Sequence, residues 1–246
     1  MRQIPIKKLS QTEYEMLMQN IVNFGGESVI CKSEDPGTLS KLFTIPENCL
    51  PRQNKFDKLN IIYSEENIRC TTMPVRALEL GTIFAGYEVT FDAADITLEK
   101  AEMPLETRIF ILTRIKRILE YYASKKITYG DVRSPNILIN LHTKRVKFCD
   151  IDNIKIGDYP IDVMSEELLD FTQARGKVDQ TSDAYMFNLL TLQQLSYQDA
   201  KYDDILNLIN CGIYPKNFKG KAHIVLNSML SPRTFKGETI IEYVKK

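Results

Sequence analysis

One stretch in the middle of the chain constrains its fold more than any other. Residues 129–136 have the sequence YGDVRSPN, and Asp150 follows Asn136 by fourteen residues within the tetrapeptide CDID. Carboxylate and amide oxygens are the ligands that hard divalent cations such as Mg²⁺ prefer. A carboxylate such as that of Asp131 can also accept a hydroxyl proton. The spacing therefore predicts a metal site beside a general base.

The segments around these residues predict how they are held. Residues 137–139 are β-branched or leucine, residues 146–149 alternate in polarity, and the polar residues between them are compatible with a turn. This pattern predicts a β-hairpin, which would hold Asn136 and Asp150 at the same edge. Residues 108–126 carry apolar side chains at helical spacing, which predicts a preceding helix with a buried face; these are Ile111, Leu112, Ile115, Ile118, Leu119 and Tyr122.

This unit resembles the catalytic loop and metal-binding segment of the eukaryotic-like protein kinase superfamily, where the motifs are HRDxxxxN and DFG. The resemblance implies that Asp131 is the catalytic base and that Arg133 contacts phosphate. It also implies that Asn136 and Asp150 bind Mg²⁺, with ATP as the cosubstrate. The chain departs from the motifs at Tyr129, at Gly130 and at Asp152, which replaces the glycine of DFG. Gly130 also favours comparison with small-molecule kinases of the same superfamily.

The N-terminal part supplies candidates for binding the nucleotide. Two strand-like segments, residues 28–32 and 38–43, flank a turn rich in Pro and Gly. We predict that Lys41, on the second strand, is the lysine that binds the phosphates, and that Lys32 is the competing candidate. By the same resemblance, further nucleotide contacts come from Gly25, Gly26, Val29, Glu88 and Leu138. Residues 23–29 lack the full GxGxxG pattern of a phosphate flap, and Glu27 lies where small residues are expected.

A helix is predicted over residues 51–64, and two more strands over residues 73–77 and 82–89. In kinases a glutamate of this helix pairs with the strand lysine. Asp57 is the acid placed to substitute for it. The resemblance implies a hinge at residues 88–91 whose backbone amides contact adenine.

Beyond Asp150 the pattern is irregular to about residue 180 and stands where a kinase activation segment would. Asp183 then matches the aspartate that braces the catalytic loop; a plain helix N-cap is the alternative for Ser182 or Asp183. Two or three helices are predicted after residue 202.

Composition bounds the class of protein. The 246 residues include 43% hydrophobic and 26% charged residues with a formal net charge of zero, which argues against a bulk nucleic-acid binder. Five scattered cysteines and two histidines argue against a zinc site or a disulfide framework. No membrane-spanning run or signal peptide is found, so a cytoplasmic location is expected.

The expected fold is α+β and two-lobed, protein-kinase-like, with a β-rich N-lobe containing one main helix (residues 1–88) and a mostly helical C-lobe (residues 89–246). The expected function is ATP-dependent phosphate transfer, with protein Ser/Thr as the acceptor. A pseudokinase that binds nucleotide or a protein partner, and a small-molecule kinase, are the alternatives. The expected partners are ATP and a protein substrate or protein partner, with neither nucleic acid nor membrane.

Overall fold

The computed structural model describes residues 3–45, 50–64, 70–196, 200–215 and 220–244. The chain is a mixed α+β protein with a six-stranded sheet in its N-terminal half and several helices after it. It divides into two compact units. The first contains Met1–Ile96 and Lys147–Asp152, and the second contains Thr97–Val146 and Asn153–Lys246.

The first unit is built on the six-stranded sheet, in the order β1-β5-β6-β4-β3-β2. Strands β1 and β5 are parallel, and the other neighbours are antiparallel. The strands are β1 (Ile6–Leu9), β2 (Ile21–Phe24), β3 (Ser28–Lys32), β4 (Thr38–Phe43), β5 (Pro74–Leu80) and β6 (Ile83–Thr90). The helices are α1 (Gln11–Gln19) and α2 (Leu50–Ser64). The predicted strands β3 to β6 and helix α2 are thus confirmed, whereas β1 and β2 were not predicted.

One face of this sheet packs against an apolar core, and the opposite face carries the Lys41 side chain. Val29 pairs with Leu42 and belongs to an apolar core with Leu9 and Leu17 of β1 and α1. Ile30 pairs with Lys41, and side chains alternate along a strand, so Lys41 lies on the opposite face. Phe43 shares that face with Lys41, and two cations of α2 lie over its ring, from Arg52 and Lys55. Helix α1 therefore covers one face and helix α2 the face that carries Lys41.

The second unit is mostly helical. Its long helix α3 (Leu105–Ser124) buries all six apolar residues predicted from the sequence. The further strands along the chain are β7 (Asp95–Thr97), β8 (Ile127–Thr128), β9 (Ile137–Asn140), β10 (Arg145–Phe148) and β11 (Lys155–Ile156), and β7 and β10 lie only partly in the second unit. Strands β9 and β10 are neighbours, which confirms the predicted hairpin, and β8 pairs with β11. The later helices are α4 (Glu166–Arg175), α5 (Gln180–Leu195), α6 (Tyr202–Asn210), α7 (Gly220–Met229) and α8 (Ile241–Val244).

Two sequence-based boundaries need correction. Strand β6 continues to Thr90, one residue beyond its predicted end, and the first compact unit reaches residue 96 and also takes up residues 147–152. The segment after Asp150 is also less irregular than predicted, because it contains α4. Ser165 caps the N-terminus of that helix, and Gly176 ends it with a left-handed φ of 84°. None of the described helices is long and apolar enough to cross a membrane.

Candidate functional site

Three segments of the first unit bring four charged side chains together, Lys41 among them. The Lys41 ammonium donates to Asp150 and, at 2.6 Å, to Oδ1 of Asp152. Lys55 of helix α2 lies 3.1 Å from the other oxygen of Asp152 and 3.1 Å from Glu27 in the turn between β2 and β3. We call Lys41, Lys55, Asp150 and Asp152 the lysine–aspartate cluster.

The strand register explains why Lys41 reaches this cluster. Lys41 pairs with Ile30 of β3 and Tyr87 of β6, so its side chain projects from the face covered by α2. Gly86 precedes Tyr87 on β6, and a Cβ at this position would lie 2.0 Å from the carbonyl oxygen of Lys41. Only glycine allows the two strands to approach this closely. Lys32, at the end of β3, is exposed, so the register favours Lys41 over its competitor.

The two aspartates of the cluster differ in exposure. The side chain of Asp150 is 34% exposed and that of Asp152 only 1%. Asp150 has a φ of 58°, a left-handed conformation that Asp tolerates better than most residues, so the chain turns directly after β10. Carboxylates two residues apart thereby reach the same ammonium. The hydroxyl of Tyr87 donates to Asp152 at 2.5 Å, so three groups hold the buried carboxylate.

The cluster keeps its members charged. Burial alone would lower the pKa of Lys41, but Asp152 and Asp150 outweigh it and hold that pKa above its ordinary value. Burial alone would raise the pKa of Asp152, but Lys41 and Lys55 hold that pKa below its ordinary value. Burial alone would also lower the pKa of Lys55, but the charge of Asp152 opposes burial, and that pKa is raised above its ordinary value. Two cations therefore face two carboxylates, and Asp150 is the more accessible of the two.

A second group of predicted residues lies on the loop between β8 and β9. The guanidinium of Arg133 donates through Nε to Asp131 and through a second nitrogen at 2.7 Å. The amide nitrogen of Asn136 donates to the carboxylate of Asp131 at 2.5 Å and to its backbone carbonyl at 3.2 Å. The nitrogen of the Asn136 side chain therefore faces Asp131. The amide oxygen, a suitable ligand for a divalent cation, is at the other end of that group.

Buried contacts to the following helices fix this loop. The carboxylate of Asp183, near the start of α5, accepts from the backbone N–H groups of Tyr129 at 2.8 Å and Gly130 at 2.7 Å. The hydroxyl of Tyr202 donates to the carbonyl of Val132 at 3.0 Å. The predicted bracing role of Asp183 is thus confirmed as a contact. The N-cap residue of α5 is Asp179, whose backbone N–H donates to the hydroxyl of Ser182 in a capping box, so neither Ser182 nor Asp183 is the N-cap residue.

Gly130 has a structural reason to be glycine. Its φ is 82°, and a Cβ at this position would lie 2.2 Å from Cδ1 of Ile161. A side chain at residue 130 would therefore be strained and would displace Ile161. The packing of the second unit therefore requires glycine at residue 130.

Several predicted contacts need correction. Val29 lies on the sheet face opposite Lys41, so it cannot share that face as a nucleotide contact. Gly25 donates its N–H to Ser28 within the hairpin at 2.8 Å, so this amide is not available to phosphate. Lys41 pairs with Asp150 and Asp152, so Asp57 is not its partner.

The predicted hinge amides are also used within the first unit. Glu88 aligns with Ser40 and Arg76 on the neighbouring strands, and its buried carboxylate accepts from Arg76. The N–H of Thr90 donates to Met73 at 3.0 Å, and that of Phe91 donates to Gly37 at 2.7 Å. The prediction that residues 88–91 offer amides to an adenine is therefore wrong for Thr90 and Phe91. Leu138 is half-buried on β9, and its contact with a nucleotide stays a prediction.

In the first unit, the partly exposed carboxylate of Asp150 fits a magnesium ion in its chemistry. In the second unit, Asn136 has its amide nitrogen fixed by Asp131 and its amide oxygen at the other end of the group. Mg²⁺ takes one or two protein ligands of this kind and completes its shell with water and phosphate oxygens. Within the described residues, no group of three or more His, Cys, Asp or Glu side chains forms a metal cage. Each of these donors, taken by itself, therefore suits a metal that is held together with a phosphate ligand.

Sequence reasoning missed Lys55, Asp152 and Tyr87 as members of the cluster. A signal for Asp152 was present, since a carboxylate replaced a glycine two residues after a predicted metal ligand. Lys55 and Tyr87 gave no comparable signal, because each is an ordinary residue of a helix or a strand. Comparison with models of known protein families and with curated proteins finds no match.

Proposed function

We propose that this protein is an ATP-dependent phosphotransferase with a two-lobed, protein-kinase-like architecture, acting on a hydroxyl group of protein Ser or Thr. The observation that carries the proposal is the ion pair between Lys41 and Asp150. These residues are 109 positions apart and were predicted from separate motifs, yet they contact each other directly. The β9–β10 hairpin and the contacts of Asp183 were also predicted, and both are present. The agreement of three separate predictions supports the proposal more than the ion pair would by itself.

The residues of the first unit account for phosphate binding. The ammonium of Lys41 is held charged and supplies a point charge to phosphate oxygens. Asp150 supplies a carboxylate oxygen for a divalent cation, which when bound neutralises charge on the nucleotide phosphates.

The residues of the second unit account for the acceptor. Asp131 would accept the proton of the acceptor hydroxyl, since a carboxylate is a general base. Arg133 and Asn136 hold this carboxylate in one orientation, and Asp183 holds the loop backbone. Preorganised groups of this kind act mainly by positioning and electrostatics, which is how phosphoryl transfer is accelerated.

The test is transfer of radiolabelled γ-phosphate from ATP to the protein itself, to generic proteins and to small alcohols. We expect transfer by the wild type and loss of transfer in Asp131→Asn, with ATP binding retained because Asp131 faces the acceptor. Equal transfer by wild type and Asp131→Asn would exclude Asp131 as the base.

One observation favours a second candidate, a pseudokinase that binds nucleotide or a protein partner. Helix α2 presents Lys55 to the cluster, where the kinase resemblance predicts an acid. Wild-type protein that binds ATP but transfers no phosphate to any acceptor would establish this second function.

A further inference from the structure

The contacts of Lys41 raise a question about how Asp150 can bind a metal. The ammonium of Lys41 donates to Asp150, the carboxylate proposed as the metal ligand. If Asp150 were the sole partner of this buried cation, the lysine and the metal would compete for the same carboxylate. The structure gives Lys41 a second partner, because Asp152 accepts from it at 2.6 Å.

Asp152 is suited to hold the lysine permanently. Its side chain is 1% exposed and accepts from Tyr87 at 2.5 Å, so it is fixed and shielded from water. Its second oxygen faces Lys55 at 3.1 Å, and the Lys55 side chain is also 1% exposed. Lys55 is in turn paired with Glu27 at 3.1 Å. A buried carboxylate with two cations can remain ionised when either cation moves slightly.

We propose that Asp152 is a positioning residue that retains the Lys41 ammonium, so that the exposed carboxylate of Asp150 remains available to a divalent cation. Lys55 supports Asp152 by supplying a second positive charge. This inference rests on the proposed function, and it assigns a role to a carboxylate that stands where the kinase motif has glycine.

The variant that tests the role is Asp152→Asn, which keeps the shape of the side chain but removes its charge. In this variant Asp150 becomes the remaining carboxylate partner of Lys41 in the cluster, so Mg²⁺ must displace the lysine. The readout is the melting temperature at a fixed saturating ATP concentration as Mg²⁺ is increased. We expect the Mg²⁺ concentration at half the maximal shift to rise about tenfold or more, as for other residues that orient a metal ligand.

A double-mutant cycle separates positioning from general destabilisation. In a Lys41→Met background the competing ammonium is gone, so adding Asp152→Asn should leave the Mg²⁺ requirement unchanged. A merely structural role for Asp152 would instead produce the same change in both backgrounds.

Two further variants complete the design. Asp95→Asn is the matched control, because Asp95 is a buried aspartate of the same unit, 2% exposed and 2.8 Å from Lys147, and is not a member of the cluster. It should lower the melting temperature without altering the Mg²⁺ requirement. If Asp152→Asn does not fold, Lys55→Met provides the test. In that variant Lys41 is the remaining cation of the cluster at Asp152, so less of its charge is available to the phosphates. The affinity for ATP with Mg²⁺ should therefore fall, although Lys55 is too buried to touch a nucleotide.

The outcomes distinguish this inference from the proposed function. A wild type that shows no Mg²⁺-dependent shift with ATP contradicts both. A wild type with the shift, and an unchanged Mg²⁺ requirement in Asp152→Asn or an unchanged affinity in Lys55→Met, overturns the role of Asp152 alone.

Discussion

At the scale of single residues, the first unit concentrates charge in the lysine–aspartate cluster. Asp152 is only 1% exposed, and Lys55 occupies a helix position facing it. Each is buried and each would be costly to leave unpaired, since removing one partner of a buried ion pair typically costs about 3–5 kcal/mol. Their retention in one cluster is explained by mutual neutralisation, with Lys41 as the shared member.

The two lysines on neighbouring strands give the first prediction. Lys41→Met should weaken ATP binding about tenfold or more, because it removes a buried cation from the proposed phosphate site. Lys32→Met should leave affinity unchanged, because Lys32 is exposed at the end of β3. Isothermal titration with ATP and Mg²⁺ compares the two. A larger loss in Lys32→Met would mean that the phosphates bind on the other face of the sheet.

Asp183 gives a prediction about pH. Burial raises the pKa of Asp183 from 3.8 to about 7, although the N–H groups of Gly130 and Tyr129 oppose the shift. The folded state therefore holds this proton more tightly than the unfolded state. The stabilising contribution is complete below pH 3.8 and is lost as the pH rises to about 7, a span equivalent to roughly 4 kcal/mol.

Denaturant unfolding of wild type and Asp183→Asn at several pH values measures this effect. Relative to the variant, the free energy of unfolding of the wild type should decline between about pH 4 and pH 7. Parallel pH curves for the two proteins would show that Asp183 has an ordinary pKa in the folded state.

At the scale of elements, close strand contact in the first unit positions the lysine. Gly86→Ala should destabilise the protein by about 1–3 kcal/mol or more, because the new methyl group meets the backbone of β4 at the carbonyl of Lys41. Gly26→Ala is the control, since a Cβ there meets nothing within 4 Å. Thermal unfolding distinguishes the two, and equal melting temperatures would mean that β4 and β6 separate freely at this point.

Most helices and strands near the candidate site were predicted from local sequence patterns, and a few were not. The periodicity of α3 predicted its buried residues one by one, and the local pattern predicted the strand that carries Lys41. The alternation of side chains along β3 was not applied to Val29, which its register with Leu42 puts on the opposite face. Helix α4 was missed although Ser165 and Gly176 carry ordinary capping signals, because the kinase resemblance favoured an irregular segment there.

Some contacts of the candidate site could not be predicted from the sequence. The partners of Lys41 depend on where the chain turns after β10, and the left-handed φ of Asp150 is not signalled by any neighbouring glycine. The contact of Lys55 with Asp152 joins residues 97 positions apart on elements with no shared motif. Long-range ion pairs of this kind follow from tertiary packing, which local patterns do not encode.

At the scale of the whole molecule, neither compact unit is one continuous stretch of chain. Residues 147–152 belong with the first 96 residues, and the second unit is interrupted by them. They bring both aspartates of the cluster. They also bring Phe148, whose backbone N–H donates to Cys70 at 2.8 Å and whose carbonyl accepts from Thr72 at 2.8 Å.

This interleaving has a consequence for how the protein is made. Ribosomes release the chain from its N-terminus at about 5–20 residues per second, so residues 147–152 emerge several seconds after residue 96. During that interval Lys41 and Lys55 have neither Asp150 nor Asp152 to neutralise them. The sheet is thus synthesised early but the unit that contains it is completed late, and a nascent chain stalled before Lys147 would expose an unfinished unit to chaperones and proteases.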